Sequence, residues 1–347
     1  MIDFKKPIKL DRASAWRTYT GGSLIGKLHG DSDAKDTNFP EEWIMSTVSA
    51  RNEGRENIVE GLSMIHNTNI SLADAICAHG TEMLGERHLK KFGKTPGVLV
   101  KLIDSAERLT VQVHPTRKKA KELFNSDYGK TECWHILGGR ELNGEKPCIY
   151  IGFKKGITRD YWKQVFDKQD IEAMLNCLHK IEVKAGDTFL IEGGVPHAIG
   201  NGCFLVEIQE PTDYTIRTER TTPNGLKVAD FMCHQGLGFD KMFDCFEYEG
   251  FSEEEILERW KLKKNGETLV GYNDTKMFSL KMIDVSGKYK MSSGGTFSGI
   301  YVLSGKGKID GEDAAAGAQY FIPASCSDFE IDGNLKIIRF YGPKEDE

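Results

Sequence analysis

Residues 186–201 read GDTFLIEGGVPHAIGN, which predicts a strand, a glycine-rich turn and a second strand. The apolar runs on either side of Gly193 and Gly194 are short and bounded by turn residues, as β-strands are. His197 follows the turn immediately, so its imidazole is placed at the start of the second strand. Blocks of short strands and tight turns are typical of β-sandwiches and jelly rolls.

Two stretches upstream also place polar side chains on strands. In a QVHP segment, Gln112 and His114 are two residues apart, so they project from the same face of the strand. In a KTE segment, Lys130 and Glu132 share a face for the same reason. Two imidazoles, a carboxylate and an amide oxygen can converge inside a barrel and leave coordination positions open, as a catalytic metal site requires. These ligands suit Zn²⁺, and by ligand type Fe²⁺, Mn²⁺ or Co²⁺ would also fit.

Each of these residues also has an ordinary structural explanation when it is taken alone. A glutamine on a strand is usually solvated, and most histidines lie at the surface or are hydrogen-bonded in the core. Only the combination of the QxHP, KxE and GxPHA patterns makes a metal site a hypothesis. The spacing therefore leaves a metal centre and a purely structural role open as alternatives.

The chain has 347 residues, which at roughly 150 residues per domain suggests two domains. A net charge of −6 and a pI near 5.9 argue against nucleic acid or an anionic membrane as a partner, so an anionic substrate needs a local basic cluster. No apolar run approaches the roughly 20 residues of a membrane span, and no signal-peptide pattern is found. The eight cysteines form no CxxC pair and are predicted to be reduced thiols, mostly in the core, which predicts a cytoplasmic location.

The rest of the chain is predicted to mix short helices and strands. The first 50 residues are expected to hold short strands and loops. Helices are predicted in residues 71–92 (one or two), 116–124, 159–166 and 170–178, and after a Ser252–Glu255 capping box. No histidine follows His234, so the C-terminal β region lacks the commonest metal ligand. In that region we expect short strands separated by turns at residues 305–307 and 332–333.

Residues 186–201 resemble the second cupin motif, with Glu192 where many cupins have proline. Five segments, in order, resemble the type I mannose-6-phosphate isomerases of the compact bacterial branch: residues 109–115, 129–134, 149–154, 194–200 and 207–217. The resemblance is good from about Lys101 to Arg217 and weaker over the first hundred residues.

The resemblance implies a mainly β fold in which a cupin jelly roll (a double-stranded β-helix) occurs twice, with short helices packed on the first domain. Residues 1–248 would form the metal-binding catalytic domain with helical insertions, and residues 249–347 a metal-free C-terminal jelly roll. One Zn²⁺ per chain, or another divalent transition metal, would be bound by Gln112, His114, Glu132 and His197.

The resemblance also implies catalytic roles for Arg217 and Lys130. Lys101 lies where the family has an active-site lysine, and we consider Lys101 and Arg220 as candidates for binding the substrate phosphate, as a compact and a forked donor. Residues 218–220 and 233–235 depart from the pattern of the bacterial enzymes.

The implied reaction is aldose–ketose isomerisation between mannose 6-phosphate and fructose 6-phosphate, in which a proton moves between C1 and C2 through an enediol. A cation beside the developing oxyanion would stabilise it. The proton carrier stays open between a metal-bound water, a lysine and a carboxylate. The partner would be a hexose phosphate, and the chain a monomer or a small homo-oligomer.

Two other functions remain alternatives at the sequence level. A cupin dioxygenase would bind iron through two histidines and one carboxylate, but those enzymes often have histidine at the position of Gln112. A non-catalytic sugar-phosphate-binding cupin would keep the scaffold without turnover.

Overall fold

The computed structural model describes residues 2–52, 54–55 and 57–345 of the chain. The strands within these residues are β1 (Ile8–Leu10), β2 (Ala13–Ala15), β3 (Glu41–Ile44), β4 (Leu99–Asp104), β5 (Gln112–Val113), β6 (Glu132–Gly139), β7 (Cys148–Lys154), β8 (Leu178–Glu182), β9 (Thr188–Ile191), β10 (His197–Ile199), β11 (Cys203–Gln209), β12 (Ile216–Arg217), β13 (Gly250–Phe251), β14 (Thr268–Val270), β15 (Ser279–Met291), β16 (Ser298–Ile309), β17 (Glu312–Ala315), β18 (Gln319–Ile322) and β19 (Phe329–Tyr341). The α-helices are α1 (Ser23–His29), α2 (Leu72–Ala78), α3 (Gly80–Leu84), α4 (Glu86–Phe92), α5 (Arg117–Phe124), α6 (Arg159–Lys168), α7 (Ile171–Asn176), α8 (Asp230–His234), α9 (Gly238–Lys241) and α10 (Glu253–Trp260), and a 3₁₀ helix spans Met242–Cys245.

The first part of the chain is a sandwich of two open sheets. The first sheet has the order β2-β3-β4-β11-β6-β9, and the second has the order β12-β5-β10-β7-β13 with β8 also paired to β7. All of these pairs are antiparallel except β13 with β7. A core of buried side chains from both sheets, including Ile136, Phe189, Ile149 and Ile199, fills the space between them. The predicted mainly β character is confirmed.

Helices and the C-terminal sheet cover the outer faces of this sandwich. Trp162 and Phe166 of α6 pack with Ala198 and Ile216 on the outside of the second sheet. The outside of the first sheet packs against the C-terminal sheet through a large shared apolar cluster. Neither outer face of the sandwich is therefore left to solvent over its apolar part, in keeping with the burial of apolar strand residues.

The C-terminal part is one seven-stranded antiparallel sheet with the order β1-β18-β16-β19-β15-β14, in which β17 also pairs with β16. It bends around a second apolar core that includes Ile300, Val302 and Ile337. Its edge strand β1 comes from the N-terminus, where Ile8 lies opposite Phe321. The division of the chain at residue 248 stays a prediction, and β1 links the beginning of the chain to the C-terminal sheet.

Two predicted turns in the C-terminal part are wrong, because β16 and β19 run through them as continuous strands. The glycines there permit close approach between strands rather than chain reversal. Gly305 has φ +92°, and a Cβ on it would lie 2.0 Å from the carbonyl oxygen of Asn334. A Cβ on Gly333 would lie 2.6 Å from the Cα of Gly307. A glycine pair seen in sequence does not distinguish these two uses.

Other local predictions are confirmed or corrected by the helices. The capping box before α10 is present, with the Ser252 backbone N–H donating to Glu255 Oε2 at 2.6 Å. Residues 71–92 form three short helices instead of one or two, and α1 was not predicted because its short apolar pattern lies between glycines. All eight cysteines are free and seven are buried, as predicted. No helix in the described ranges is both long and apolar enough to cross a bilayer.

Candidate active site

Strand register in the second sheet brings three of the predicted site residues into one row. Gln112 of β5 lies directly opposite His197 of β10 on one side and opposite Arg217 of β12 on the other. Residues directly opposite in antiparallel strands project from the same face. The row therefore places the amide, the imidazole and the guanidinium together, although they come from distant parts of the sequence.

The first sheet presents a matching row across the sandwich. Lys101 of β4 lies opposite Glu207 of β11, which in turn lies opposite Trp134 of β6. Glu132 is two residues before Trp134 on the same strand and therefore shares its face. The Trp134 indole lies edge-on to the His197 ring at a centroid distance of 5.4 Å, which joins the two sheets at the site.

His114, Glu132 and His197 form a compact buried cluster in which the candidate ligand atoms all lie within 4.8 Å of one another. Glu132 Oε2 is 3.2 Å from His114 Nε2, and Glu132 Oε1 is 3.4 Å from His197 Nε2. The Gln112 amide nitrogen lies 3.3 Å from His197 Nε2, and a flip of the amide would place its oxygen there. The structure thus brings together the four residues that the sequence singled out as metal ligands.

Backbone carbonyls fix the tautomer of both histidines. His114 Nδ1 donates to the carbonyl oxygen of Tyr214 at 2.8 Å, and His197 Nδ1 donates to that of Val195 at 2.8 Å. Since a carbonyl only accepts, Nδ1 carries the proton in each ring and the Nε2 lone pair faces the cluster. This arrangement is usual for imidazoles that bind a metal.

The electrostatics favour neutral imidazoles beside an ionised carboxylate. Burial, together with the nearby Lys130 ammonium, lowers the pKa of His114 to about 4, and burial also lowers the pKa of His197. Burial alone would raise the pKa of Glu132, but Lys130 and His114 hold it well below its usual range. At neutral pH the three groups are therefore in the protonation states that metal binding requires.

The donor set fits a divalent transition metal. Glu132 Oε1 is buried and has no hydrogen-bond partner among the described residues, which is costly for a carboxylate unless a cation takes that position. Two imidazole nitrogens and carboxylate and amide oxygens are ligands that Zn²⁺ accepts. Lys130 Nζ lies 2.7 Å from Glu132 Oε2 and 2.8 Å from His114 Nε2, so its ammonium contacts the lone pairs that a bound metal would take.

A cleft opens beside this cluster, and Gln112 and Lys130 form part of its wall. The other charged residues that line it are Arg17, Glu41, Lys101, Arg108, Glu207, Asp213 and Arg217. Cationic side chains outnumber carboxylates in this lining, although the whole chain carries a net charge of −6. The cleft is therefore the local basic cluster that an anionic substrate requires.

Lys101 and Arg217 both lie in the cleft but differ in their partners. Lys101 Nζ donates to Glu207 Oε1 at 2.9 Å; burial alone would lower its pKa, but Glu207 raises the pKa above its ordinary value. Arg217 donates from Nη1 to the carbonyl oxygens of Thr215 and Met232, at 3.3 and 3.0 Å. Within the described ranges it makes no ion pair with a carboxylate, so its charge is available to a ligand.

Arg220 is the one predicted site residue that the structure brings neither to the cleft nor to the ligand cluster beside it. Its side chain is 43% exposed, pairs with Asp230 and stacks over the ring of Phe239 at 4.3 Å. Arg220 is three residues after Arg217, so it projects to the other side of the chain, over the rings of Phe166 and Phe239. The chain itself stays at the cleft, because Thr222 and Pro223 of the following hairpin line it.

Four further residues line the cleft and have no role predicted from the sequence: Arg17, Glu41, Glu207 and Asp213. Glu207 carried a usable signal, because a single carboxylate within the apolar run of β11 points to a buried charge. Glu41 and Trp43 are two residues apart on β3, so they share a face. The first hundred residues resemble the family only weakly, which gave no reason to select these two.

Two family models match this chain. The model described as "Phosphomannose isomerase type I, catalytic domain" matches residues 34–132, which include Gln112, His114 and Glu132. The model described as "Mannose-6-phosphate isomerase, cupin domain" matches residues 268–342 in the C-terminal sheet. The predicted fold class, a mainly β chain of cupin type, is confirmed.

The curated relatives carry the same description. A protein named probable mannose-6-phosphate isomerase GmuF, from Bacillus subtilis (strain 168), is 30% identical over 71% of this chain and 75% of its own length. The mannose-6-phosphate isomerase of Streptococcus mutans serotype c is 27% identical over 76% of this chain and 79% of its own length.

Solved structures of this description share the fold. The mannose 6-phosphate isomerase from Bacillus subtilis aligns with a TM-score of 0.70 at 22% identity, over 97% of this chain and 99% of that one. A mannose 6-phosphate isomerase solved with zinc and yttrium aligns with a TM-score of 0.72 at 15% identity, over 98% and 100%. Because the 30% identical relative and both family models agree, the chain belongs to the type I mannose-6-phosphate isomerase family.

Proposed function

We propose that this protein interconverts mannose 6-phosphate and fructose 6-phosphate by moving a proton between C1 and C2 through an enediol. One observation carries the proposal: the buried His114–Glu132–His197 cluster adjoins a cleft that is rich in cations, with Gln112 and Lys130 in the wall of that cleft. Such a site provides stabilisation of negative charge on sugar oxygens and attraction for a phosphate. Membership of the isomerase family supports the same substrate pair.

We assign one Zn²⁺ to Gln112, His114, Glu132 and His197. The unpartnered Glu132 oxygen and the fixed histidine tautomers support this assignment, as does the zinc in a solved mannose 6-phosphate isomerase of the same fold. When bound, the metal would supply a Lewis acid that lowers the energy of negative charge on the oxygens at C1 and C2.

Arg217 and Lys130 are the proposed catalytic residues. The row of Arg217, Gln112 and His197 supports placing the guanidinium beside the reacting oxygens, where a preorganised cation stabilises an enediolate. The buried ammonium of Lys130 adjoins Glu132 and is close enough to hold or transfer a proton in the same region.

Lys101 is the proposed phosphate-binding residue. It is buried in the cleft, and its ammonium is shared between Glu207 and, at 4.0 Å, Glu41. Arg220 is not retained in this role, because its guanidinium is stacked on Phe239 outside the cleft.

A coupled assay that follows fructose 6-phosphate formation from mannose 6-phosphate, with and without a chelator, tests the proposal. We expect turnover that a chelator abolishes and Zn²⁺ restores, with solvent deuterium incorporated at C2 when fructose 6-phosphate is converted in D₂O. The absence of turnover in zinc-loaded protein would contradict the proposed reaction.

A dioxygenase is an alternative function, because His114, Glu132 and His197 also match a two-histidine, one-carboxylate iron site. Oxygen consumption by iron-loaded protein, without isomerisation, would favour that alternative. Sugar-phosphate binding without either activity would favour a non-catalytic cupin.

A further inference from the structure

We propose that Arg17 is a substrate-binding residue that, together with Lys101, takes the phosphate of the hexose phosphate. The inference rests on the proposed function for the choice of substrate. Arg17 would supply the forked guanidinium donor that Arg220 does not bring to the cleft. Arg17 lies in the loop between β2 and α1, far in sequence from the segments that carry the family pattern.

Arg17 is positioned to bind a ligand in the cleft, because it does not lie on the open surface. Its side chain is only 11% exposed, and it lines the same cleft as Lys101 and Lys130. The guanidinium lies over the Trp43 ring at 5.1 Å, and the Lys101 ammonium is also 5.1 Å from that ring. Two cations thus converge over one indole in the cleft.

Glu41 holds the Arg17 guanidinium in place from one side. Arg17 Nε is 3.0 Å from Glu41 Oε1, which also accepts from the Tyr19 hydroxyl at 2.8 Å. Glu41 Oε2 accepts from the Trp43 indole at 2.7 Å. The carboxylate is therefore fixed by three side chains, and the arginine is oriented before any ligand arrives, which reduces the entropy lost on binding.

The outer part of the guanidinium is less engaged. Nη1 lies 3.4 Å from the Asn52 side-chain oxygen and 4.0 Å from Asp213 Oδ2, both long contacts. Nη2 makes no hydrogen bond with any residue that the structure describes. Planar forked donors of this kind suit the oxygens of a phosphate.

The surrounding charges favour an anion at this point. Asp213 has its pKa lowered against the effect of burial by four cations, namely Arg17, Lys101, Lys130 and Arg217. Their combined field therefore favours negative charge in the cleft. The remaining arginine of the lining, Arg108, is occupied instead, because its two terminal nitrogens form a bidentate pair with Glu219.

The test compares Arg17→Ala and Arg17→Lys with the wild-type holoenzyme. Loss of a charge-assisted hydrogen-bonding group from a buried site should raise KM for mannose 6-phosphate about 10- to 100-fold. We expect kcat and bound metal to stay within about threefold of wild type, as the reacting end of the site is untouched. Arg17→Lys keeps the charge but loses the forked guanidinium, so its KM should lie between those of the wild type and Arg17→Ala.

Two further measurements separate phosphate binding from a structural role of the Arg17–Glu41 pair. Inhibition by inorganic phosphate should weaken in Arg17→Ala by the same factor as KM rises, whereas kcat/KM for unphosphorylated mannose should stay unchanged. Arg159→Ala, which removes a solvent-facing arginine of α6 paired with Asp244, is the matched control and should change none of these values.

The assignment would be overturned if Arg17→Ala lost kcat/KM equally with mannose and with mannose 6-phosphate. A KM for mannose 6-phosphate within twofold of wild type would overturn it too. If Arg17→Ala does not fold, Arg17→Lys gives the same comparison with the ion pair to Glu41 kept. Binding of inorganic phosphate, measured by calorimetry on the zinc-loaded protein, does not depend on turnover. An Arg17-dependent phosphate site in a protein without isomerase activity would contradict the proposed function but support this inference.

Discussion

At the scale of single residues, the candidate site depends on side chains whose partners already prepare them for a cation. The Nδ1 protons of His114 and His197 are engaged by backbone carbonyls, so both Nε2 lone pairs face Glu132. Removal of either imidazole takes away one nitrogen ligand and lowers the metal affinity of the ligands that remain.

We therefore expect His114→Ala and His197→Ala to lose the bound metal, while the wild type carries about one equivalent per chain, since each variant lacks one of the two nitrogen ligands of the proposed site. Elemental analysis of purified protein measures this. His66→Ala, at an exposed histidine paired with Asp11, is the control and should keep its metal. Retained metal and activity in either site variant would contradict the ligand assignment.

Arg217→Ala should behave differently, because the guanidinium contacts no ligand atom of the cluster directly and donates to two carbonyls. We expect unchanged metal content and a fall in kcat of about 100- to 1000-fold, the usual effect of removing a group that stabilises an oxyanion. Steady-state kinetics on metal-loaded protein gives the measurement. An unchanged kcat/KM would make Arg217 a structural residue.

The family resemblance implied Gln112, His114, Glu132 and His197 as one ligand set, and the residue patterns supported it by placing Gln112 and His114 on one strand face, because side chains alternate along a strand. They did not predict Arg17 or Glu41, since the pairing of β3 with β4 depends on long-range register that no local pattern contains. Arg220 was selected as a forked donor for phosphate, but its offset of three residues from Arg217 places it on the opposite side of the chain.

At the scale of elements, β3 has two adjacent buried glutamates with different surroundings. Glu41 faces the cleft, whereas Glu42 contacts His29 of α1 at 2.6 Å and the Tyr301 hydroxyl of β16 at 3.2 Å. One short strand therefore joins the site to the C-terminal sheet. The long strands of that sheet, such as β16 and β19, were predicted as separate pieces because glycines interrupt their apolar pattern.

Substitution by alanine tests whether those glycines allow close approach between strands rather than form turns. Gly305 and Gly311 both have left-handed backbones, with φ +92° and +83°, but only Gly305 is crowded, by Asn334 and Leu335. We expect Gly311→Ala to cost about 1 kcal/mol in backbone strain alone. Gly305→Ala should cost at least about 3 kcal/mol, because the sheet must also shift. Urea unfolding of the two variants measures the difference, and equal values would contradict the close-approach explanation.

At the scale of the whole molecule, the sandwich and the C-terminal sheet share an apolar cluster that includes Val100, Val206, Tyr301 and Phe340. The chain also crosses between them twice, because β1 pairs with β18 before the sandwich begins. Two domains were predicted from the chain length and from the family resemblance, but this extent of shared core depends on contacts distant in sequence.

We expect the two parts to unfold together for that reason. The five tryptophans all lie at or before Trp260, so their fluorescence reports on the sandwich and its flanking helix, whereas far-ultraviolet circular dichroism also reports on the C-terminal sheet. Urea transitions followed by the two signals should coincide within error. A separate, earlier loss of ellipticity would show that the C-terminal sheet unfolds independently.

The carbonyl of Tyr214, which accepts from His114, belongs to the same short segment as Asp213 and Arg217. Tyr214 is one peptide unit from Asp213 and three from Arg217, so a ligand that shifts either side chain also acts on the backbone that orients the His114 imidazole. Under the proposed function, we therefore expect sugar-phosphate binding to change the affinity of the proposed metal site.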